Sequence, residues 1–282
     1  MKILVALDGK KYSRNIVKDV ARLAENTLAD IVFFGVQGKG ADARQGLQEV
    51  LQAYQEDVYS YFSEDELPYG DFAGKSWMDG AAGGCSMSAK GVKTFTLSIG
   101  TGGIAKQVVQ AAGELECDLV ILGGDDEFGC EWAGEMNVPL RIAEDAPCSV
   151  LVIKKSGNAS QIVSILDQSV VRQDALEMVN QLVTLHEADL RIVGVKEKSE
   201  SQNEGVEQRM VELLKYYNER KVNGWVTLID SEKVKKYVTS SSAESIVALW
   251  MGDKKSLIKR LFSRSMVDKL LVTSRSSVLV LR

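Results

Sequence analysis

Short apolar runs that alternate with stretches of helical spacing are the main pattern of this chain. The clearest instance lies between residues 118 and 154, where the strand-like runs Asp118–Gly124 and Ala146–Ile153 flank a segment with helical spacing. Continuous apolar runs of this kind are typical of parallel strands that are buried on both faces and joined by a crossover helix. Ligands of such sheets bind beyond the carboxyl ends of the strands, where Gly123 and Gly124 fall. The pattern therefore predicts a site at this end of the sheet.

The first half of the chain shows the same alternation from its start. Further strands are predicted at Lys2–Leu7, Asp30–Val36 and Thr94–Ile99, each followed by apolar residues that recur on one helical face. Together with the two runs above, this makes five strands and four helices in strict alternation. Such alternation predicts an α/β fold, in which a parallel, doubly wound sheet carries helices on both faces.

One segment, Ser63–Gly91, interrupts this alternation. It contains Pro68, many glycines and the run Ala81–Ser86, and it shows no apolar periodicity. Because such a composition offers little surface to bury, we interpret this Gly-rich segment as a mobile insertion or lid. We expect limited proteolysis to cut there before it cuts anywhere else.

The second half of the chain repeats the order of the first. After the short linker Ser156–Ser160, the run Gln161–Asp167 repeats the first strand, and Ala188–Val195 resembles Ala29–Val36 almost position for position. A repeat whose period is one domain excludes a solenoid. The sequence therefore predicts two tandem domains, at 1–155 and 161–282, each with a five-stranded parallel sheet and helices on both faces.

Composition narrows the class of protein. The 282 residues are 45% hydrophobic and 26% charged, which is typical of a soluble globular protein. No apolar run approaches the roughly 20 residues of a membrane helix, and the N-terminus does not read as a signal peptide. The cysteines Cys85, Cys117, Cys130 and Cys148 form no CxxC pair, so we expect neither a metal site nor disulfides, and a cytoplasmic location.

Charge is unevenly distributed between the halves. Residues 1–155 hold 15 Lys and Arg against 23 Asp and Glu, a net charge of −8, whereas residues 156–282 hold 19 against 16, a net charge of +3. A nucleic-acid-binding domain usually shows a clustered basic patch and a much higher pI. We therefore expect no nucleic-acid partner and no membrane partner.

The order of these motifs resembles the universal stress protein family in its tandem form. The residues that carry the resemblance are Val5–Gly9, Ala29–Val36, Ile104–Gly123 and Ile142–Ile153, the last of which contains the Ala-Pro-Cys motif. The resemblance implies a Rossmann-like fold of the adenine-nucleotide α-hydrolase type and no established catalytic chemistry. It also implies domains that pair through their last strands, hence an intramolecular pseudo-dimer or a homodimer. Some members bind ATP through a Gly-x2-Gly-x9-Gly-Ser/Thr loop.

In the first half this loop is degenerate. Anchored on Ala-Pro-Cys, its four motif positions fall on Gly123, Asp126, Met136 and Asn137, so only the first glycine is kept. The glycines let backbone N–H groups close around phosphates at a helix N-terminus. A carboxylate about 4 Å from a phosphate costs on the order of 1–4 kcal/mol. We expect Asp126 to repel phosphates and the Met136 side chain to occupy their space.

In the second half the loop carries positive charge. Gly252 is followed by Lys254 and Lys255, and with a one-residue deletion Arg264 and Ser265 take the Gly-Ser positions. We therefore expect any nucleotide affinity of the chain to reside there. The resemblance implies a set of nucleotide-binding candidates, which are Asp8, Val36, Gly123, Asn137, Val138, Asp167, Gly252, Lys254 and Ser265.

Several of these residues have a second interpretation. Asp8 and Asp167 could contact an adenosine or an ion, or cap the helix that follows. The Gly-rich turn at 100–103 could bind phosphate or be only a turn, and the basic run Lys254–Arg264 could bind an anion or be a solvated helix face. The single histidine, His186, is interpreted as a surface or packing residue, which leaves no Ser/His/Asp or Cys/His constellation.

The prediction for function is a non-enzymatic stress-response or regulatory protein that acts by binding. ATP or another adenine nucleotide is the candidate cofactor, and a nucleotide or small anion is the candidate ligand. One alternative is an ATP-binding family member, or an enzyme of the same fold that adenylylates or hydrolyses a nucleotide. Another is a regulatory protein whose Gly-rich insertion recruits a partner.

Overall fold

The structure, a computed structural model, describes residues 1–38, 41–63, 66–80, 83–124, 132, 135–155, 157–165, 172–196, 205–240, 244–250, 271 and 275–282. The chain divides into two compact units, Met1–Ser156 and Gly157–Arg282, called unit 1 and unit 2 below. Among the helices in these ranges, none is long and apolar enough to cross a membrane.

Unit 1 contains one sheet with five parallel strands and two antiparallel strands at one edge. The strands are β1 (Lys2–Ala6), β2 (Asp30–Gln37), β3 (Met78–Asp79), β4 (Cys85–Lys90), β5 (Thr94–Thr101), β6 (Leu119–Gly123) and β7 (Ser149–Ile153). Their order across the sheet is β7-β6-β1-β2-β5-β4-β3. The predicted five-stranded parallel sheet is confirmed, and β3 and β4 extend it beyond β5.

The strand order reverses at β1. Ile3 of β1 pairs with Ile31 of β2 on one side and with Leu119 of β6 on the other. The chain therefore runs outwards from β1 in one direction through β2 and β5, and then returns to add β6 and β7 on the other side. A crevice opens beyond the carboxyl ends of the strands at such a switch point, here between β1 and β6.

Helices cover both faces of this sheet. The helices of unit 1 are α1 (Lys11–Thr27), α2 (Ala41–Tyr59), α3 (Ile104–Glu114) and α4 (Val138–Asp145). A Cβ atom added at Gly35 of β2 would lie 2.8 Å from the Leu47 side chain of α2, whereas one added at Gly100 would meet Phe34 and Gln107 of α3. Since Gly35 pairs with Ile99, Gly35 and Gly100 face opposite sides. The apolar strands are thus buried between two helical layers.

In the segment at 63–91, the described residues include two strands and a buried tyrosine, whereas most residues between 71 and 80 are exposed. The mobility of the segment stays a prediction. The segment forms β3 and β4, and Tyr69, only 4% exposed, packs against Phe95 with a ring-centroid distance of 5.2 Å. The Tyr69 hydroxyl donates a hydrogen bond of 2.8 Å to the carbonyl of Ala29. A Cβ atom at Gly70 would lie 2.6 Å from the Lys90 carbonyl oxygen, and one at Gly91 equally close to the Pro68 carbonyl oxygen, so these two glycines serve close backbone packing. The segment extends the core rather than covering it.

Unit 2 contains the five-stranded parallel sheet that its sequence predicts. Its order is β10-β9-β8-β11-β12, again with a reversal, here at β8. The strands are β8 (Gln161–Ile165), β9 (Asp189–Lys196), β10 (Gly224–Asp230), β11 (Ser245–Trp250) and β12 (Ser277–Leu281). The helices described are α5 (Gln173–His186), α6 (Val206–Asn218) and α7 (Val234–Thr239), the last preceded by a 3-10 turn at Ser231–Lys233.

Candidate functional site

The first side chain at the switch point of unit 1 is Asp8, which follows β1 directly. It is 8% exposed, and its Oδ1 accepts hydrogen bonds from the Lys10 N–H (3.0 Å) and the Ser13 hydroxyl (2.8 Å). Its Oδ2 accepts a hydrogen bond from the Tyr12 hydroxyl. These three donors all lie in the turn into α1 or in its first turn. Asp8 therefore orders the turn that leads into α1 through an Asx-type hydrogen bond, whereas the N-cap position of the helix itself is Lys10.

The crevice beyond β1 and β6 contains two aromatic side chains of the chain itself. Tyr12 of α1 and Trp132 of the β6–α4 connection stack with their ring centroids 5.7 Å apart. The Trp132 side chain is 2% exposed, and its Nε1–H donates a hydrogen bond of 3.2 Å to the carbonyl of Gly123 at the end of β6. Both polar tips are therefore satisfied, as buried Tyr and Trp side chains require. Together with Asp8, these two rings occupy the place where a ligand of this fold would bind.

Gly123 is a glycine for a packing reason. A Cβ atom at this position would lie 2.4 Å from the Tyr12 carbonyl oxygen and 2.7 Å from its carbonyl carbon. Backbone atoms cannot move aside as a flexible side chain can, so the start of α1 approaches β6 this closely only because residue 123 has no side chain. The first half keeps one glycine of the phosphate motif, Gly123. The close approach of the Tyr12 backbone is enough to explain why this residue is a glycine.

Glu135 places a carboxylate at the N-terminus of α3. Its Oε1 accepts a hydrogen bond of 3.2 Å from the Ile104 N–H, and its Oε2 lies 3.5 Å from the Arg141 guanidinium. Reciprocal backbone hydrogen bonds of 2.8 and 2.9 Å join Glu135 to Trp132. The first N–H groups of a helix have no intrahelical acceptor and favour an anion. The N-terminus of α3, which follows the Gly-rich turn at 100–103, is therefore occupied by a carboxylate of the chain itself.

The other predicted site residues of unit 1 lie around this centre. Val36 is near the carboxyl end of β2, and Val138 is buried in the first turn of α4. Asn137 precedes α4 in the left-handed conformation (φ 60°), which Asn tolerates better than most residues. Met136 is 61% exposed, and the expectation that its side chain occupies the space of phosphates stays a prediction. Asp126, Asp167, Gly252, Lys254 and Ser265 lie outside the described residues.

Sequence reasoning missed Trp132 and Glu135. Neither residue belongs to a periodic pattern, and both lie in an acidic, Gly-containing stretch that reads as a loop. The available signal was Trp132 itself, since a large aromatic residue in such a stretch has to bury its ring somewhere.

Two cavities open in unit 1 away from the aromatic pair. The first, of about 340 Å³, lies between the start of α1 and α2 and is called the basic pocket; it is lined by Gly9, Lys10, Lys11, Arg14, Val50, Ala53 and Tyr54. The second, of about 330 Å³, lies between α3 and the β4–β5 hairpin, with hydroxyl and carboxamide groups from Ser86, Ser98, Thr101, Gln107 and Gln110 in its lining. Both fall at the lower end of the range for small-molecule sites.

Two side chains that could do acid–base or nucleophilic chemistry, His186 and Cys117, are buried. His186 is 9% exposed, and its Nδ1 accepts a hydrogen bond of 3.2 Å from the Ala159 N–H, which makes it a packing residue of unit 2. Burial raises the pKa of the Cys117 thiol to about 11, against which the Lys2 ammonium acts only in part. Within the described ranges, no three His, Cys, Asp or Glu side chains lie close enough to hold a metal ion.

Comparisons with known proteins agree with this architecture. Residues 1–154 match the model of the Universal stress protein family. A universal stress protein from Archaeoglobus fulgidus DSM 4304 is similar over 100% of this chain and 96% of its own, with 11% identity and a TM-score of 0.61. A functionally unknown protein from Pseudomonas aeruginosa PAO1 is similar over 99% and 92%, with 13% identity and a TM-score of 0.61.

A third solved structure shares the two-unit architecture. The cytoplasmic domain of a prokaryotic cation chloride cotransporter is similar over 99% of this chain and 94% of its own, with 14% identity and a TM-score of 0.53. At these identities the likeness shows the fold alone. No curated protein matches the chain.

Proposed function

This chain belongs to the universal stress protein family, and we propose that it is a non-enzymatic regulatory binding protein whose unit 1 does not take ATP at the switch point. The observation that carries the proposal is the stack of Tyr12 on Trp132 beyond β1 and β6. A base or ribose in that crevice would have to replace a buried indole that already has its hydrogen bond.

The free energy of displacing Trp132 is large enough to weaken ATP binding strongly. Removing a buried Trp side chain from a core costs about 3–5 kcal/mol. If ATP binds only after Trp132 has left the crevice, its apparent affinity falls by that free energy, about a hundredfold to several thousandfold. A site of about 1 μM would then bind ATP with a Kd between about 0.1 mM and several mM. We therefore assign any adenine-nucleotide binding of this chain to unit 2, where Lys254 and Arg264 supply positive charge in the sequence.

The proposal that the protein is not an enzyme has its own support. A general base has to be within hydrogen-bond reach of the proton it takes, with a lone pair free to accept it. At the switch point Asp8 already accepts hydrogen bonds from Lys10, Tyr12 and Ser13. We also propose a cytoplasmic location, because Cys85 and Cys117 are buried thiols that form no disulfide among the described residues, as is usual in a reducing compartment.

The test is an ATP titration of the full chain followed by amide chemical shifts. We expect the amides of Gly123 and Gly124, at the end of β6, to stay unshifted in the wild type. The variant Trp132→Ala opens the crevice and should allow ATP-dependent shifts at these two amides. The control, Trp225→Ala, removes an indole from β10 of unit 2 and should leave both amides as in the wild type.

Two results would overturn the proposal. Saturable shifts at Gly123 and Gly124 of the wild type at micromolar ATP would mean that the aromatic pair does not exclude a nucleotide. Release of ADP or AMP from ATP by the wild type, abolished in Asp8→Asn, would mean that the protein is an enzyme and that this carboxylate takes part in the reaction.

A further inference from the structure

We propose that the basic pocket is a binding site for a small phosphorylated molecule. Three cationic side chains line it, those of Lys10, Lys11 and Arg14. None of the three has an ion-pair partner in the part of the chain that the structure describes. The site lies outside the crevice of Tyr12 and Trp132, so the inference goes beyond the proposed function.

The charge of the pocket is opposite to that of its surroundings. Residues 1–155 carry a net charge of −8, and yet three cations converge on one cavity of about 340 Å³. Like charges repel one another unless an anion lies between them, so such a grouping favours a ligand with two or more negative charges. An Arg guanidinium matches phosphate oxygens in a bidentate arrangement, and Lys binds them as a point charge.

Two acids near the pocket offset this charge only in part. The Asp8 carboxylate accepts hydrogen bonds from three neutral donors, the Lys10 N–H, the Ser13 hydroxyl and the Tyr12 hydroxyl. Asp57 lies on α2 one turn beyond Tyr54, and it is close enough to help raise the pKa of the Tyr54 hydroxyl, after burial and Asp8. The formal charge of the lining residues themselves is +3.

The walls of the pocket indicate a phosphate ester rather than free phosphate. Val50, Ala53 and Tyr54 come from one face of α2, at positions i, i+3 and i+4, and supply apolar surface opposite the cations. Tyr54 is 5% exposed and donates a hydrogen bond of 3.0 Å to the Asp8 carbonyl, which holds this wall against the turn after β1. An apolar group attached to a phosphate would use both sides of the cavity.

The second half of the chain provides an internal comparison. With the offset of 159 residues between Asp8 and Asp167, the positions of Lys10, Lys11 and Arg14 correspond to Ser169, Val170 and Gln173. All three are neutral, so the cationic group is particular to unit 1 and does not follow from the repeated fold.

The experiment titrates the full chain with phenyl phosphate, inorganic phosphate and sulfate, using amide shifts and calorimetry. We expect phenyl phosphate to bind most tightly and to shift the amides of Gly9, Lys10 and Ala53. Lys11→Gln and Arg14→Gln should each weaken binding about tenfold or more, because each removes a charge-assisted hydrogen bond. The matched control Lys106→Gln removes an exposed cation of α3 outside the pocket and should change binding less than twofold.

The outcomes separate this inference from the proposed function. Trp132→Ala should leave phenyl phosphate binding unchanged, whatever it does to ATP. The inference is overturned if the wild type shows no saturable binding of phenyl phosphate. It is equally overturned if Lys106→Gln weakens binding as much as Arg14→Gln, or if Lys11→Gln and Arg14→Gln bind as the wild type does, provided that their melting temperatures show them to be folded.

Discussion

The close approach of Tyr12 to Gly123 leads to a strong prediction about two adjacent glycines. At Gly123 an added Cβ atom would lie 2.4 Å from the Tyr12 carbonyl oxygen, whereas at Gly124 its nearest neighbours are the Val152 and Lys154 side chains at 3.1 and 3.3 Å. Neither glycine has the positive φ angle that would strain an alanine. The two substitutions therefore add the same methyl group to the same short segment, but only one of them meets backbone.

The magnitudes differ enough to be measured. Ordinary carbon contacts are about 3.5–4.0 Å, so Gly123→Ala requires the end of β6 or the start of α1 to move by about 1 Å. Overpacking of this kind costs about 1–3 kcal/mol or more, and a backbone clash belongs at the upper end. Alanine also restricts the unfolded chain more than glycine does, and this effect stabilises the folded state by only about 0.4–1 kcal/mol. We expect Gly123→Ala to destabilise unit 1 by about 2 kcal/mol or more, and Gly124→Ala by less than about 1 kcal/mol.

Hydrogen exchange on the full chain is the appropriate assay, because a two-unit protein need not unfold in one step. Peptides from β1 and β6 report unit 1, and peptides from β8 and β9 report unit 2. In Gly123→Ala, protection of the unit 1 peptides should fall about thirtyfold or more, since 1.4 kcal/mol corresponds to a factor of ten. Unit 2 should be unchanged. If the two variants lose the same protection, Tyr12 does not close the crevice and the reasoning about ATP exclusion fails.

Replacing Glu135 by Gln should destabilise unit 1 by about 0.5–2 kcal/mol, because a neutral amide replaces the carboxylate at the start of α3; hydrogen exchange of α3 measures it, and unchanged protection would contradict it. Burial raises the pKa of the Tyr69 hydroxyl above 10, so the unfolded chain loses this proton first and stability falls by about 1.4 kcal/mol per pH unit above pH 10. Urea unfolding at pH 9 and pH 11 should therefore show a smaller alkaline loss for Tyr69→Phe than for the wild type, and equal losses would count against burial of the hydroxyl. Amides of β4 should exchange as slowly as those of β2, whereas exchange as fast as at the exposed turn residue Val92 would support the mobile-segment interpretation.

The parallel part of the fold could be predicted from the sequence because buried strands have a strong local signal. Runs such as Leu119–Gly123 and Ser149–Ile153 are apolar at nearly every position, and both are buried throughout. The positions of Asp8 and Gly123 at the switch point followed from the same pattern. The partner of Gly123 did not follow, because the Tyr12 backbone of α1 is distant from β6 along the chain and meets it only in the folded unit.

The edge strands of unit 1 show why the rest could not be predicted. In β4 the residues alternate, with Cys85, Met87 and Ala89 buried, but the strand is short and contains no β-branched or aromatic residue, so its apolar signal is weak. The contacts that hold the segment are non-local, such as the edge-to-face packing of Tyr59 and Phe95, 5.6 Å between centroids. Judged by composition alone, the many glycines of the segment suggest mobility. In the structure, Gly70 and Gly91 permit two backbone segments to approach each other closely.

Comparison of the two halves separates what the fold demands from what unit 1 has added. The offset that relates Asp8 to Asp167 relates Tyr12 to Val171, so the second half has no aromatic ring at the position that fills the crevice of unit 1. Where unit 1 has Met136, the second half has Arg264. A smaller residue in place of Tyr12 leaves more room in the crevice, and a cation in place of a neutral residue favours an anionic ligand. The halves therefore differ in the direction expected if unit 1 gave up the nucleotide crevice and gained its cations at Lys10, Lys11 and Arg14 instead. If both proposals hold, the loss of ATP binding by unit 1 and its gain of an anion pocket at the start of α1 are two sides of one divergence between duplicated units.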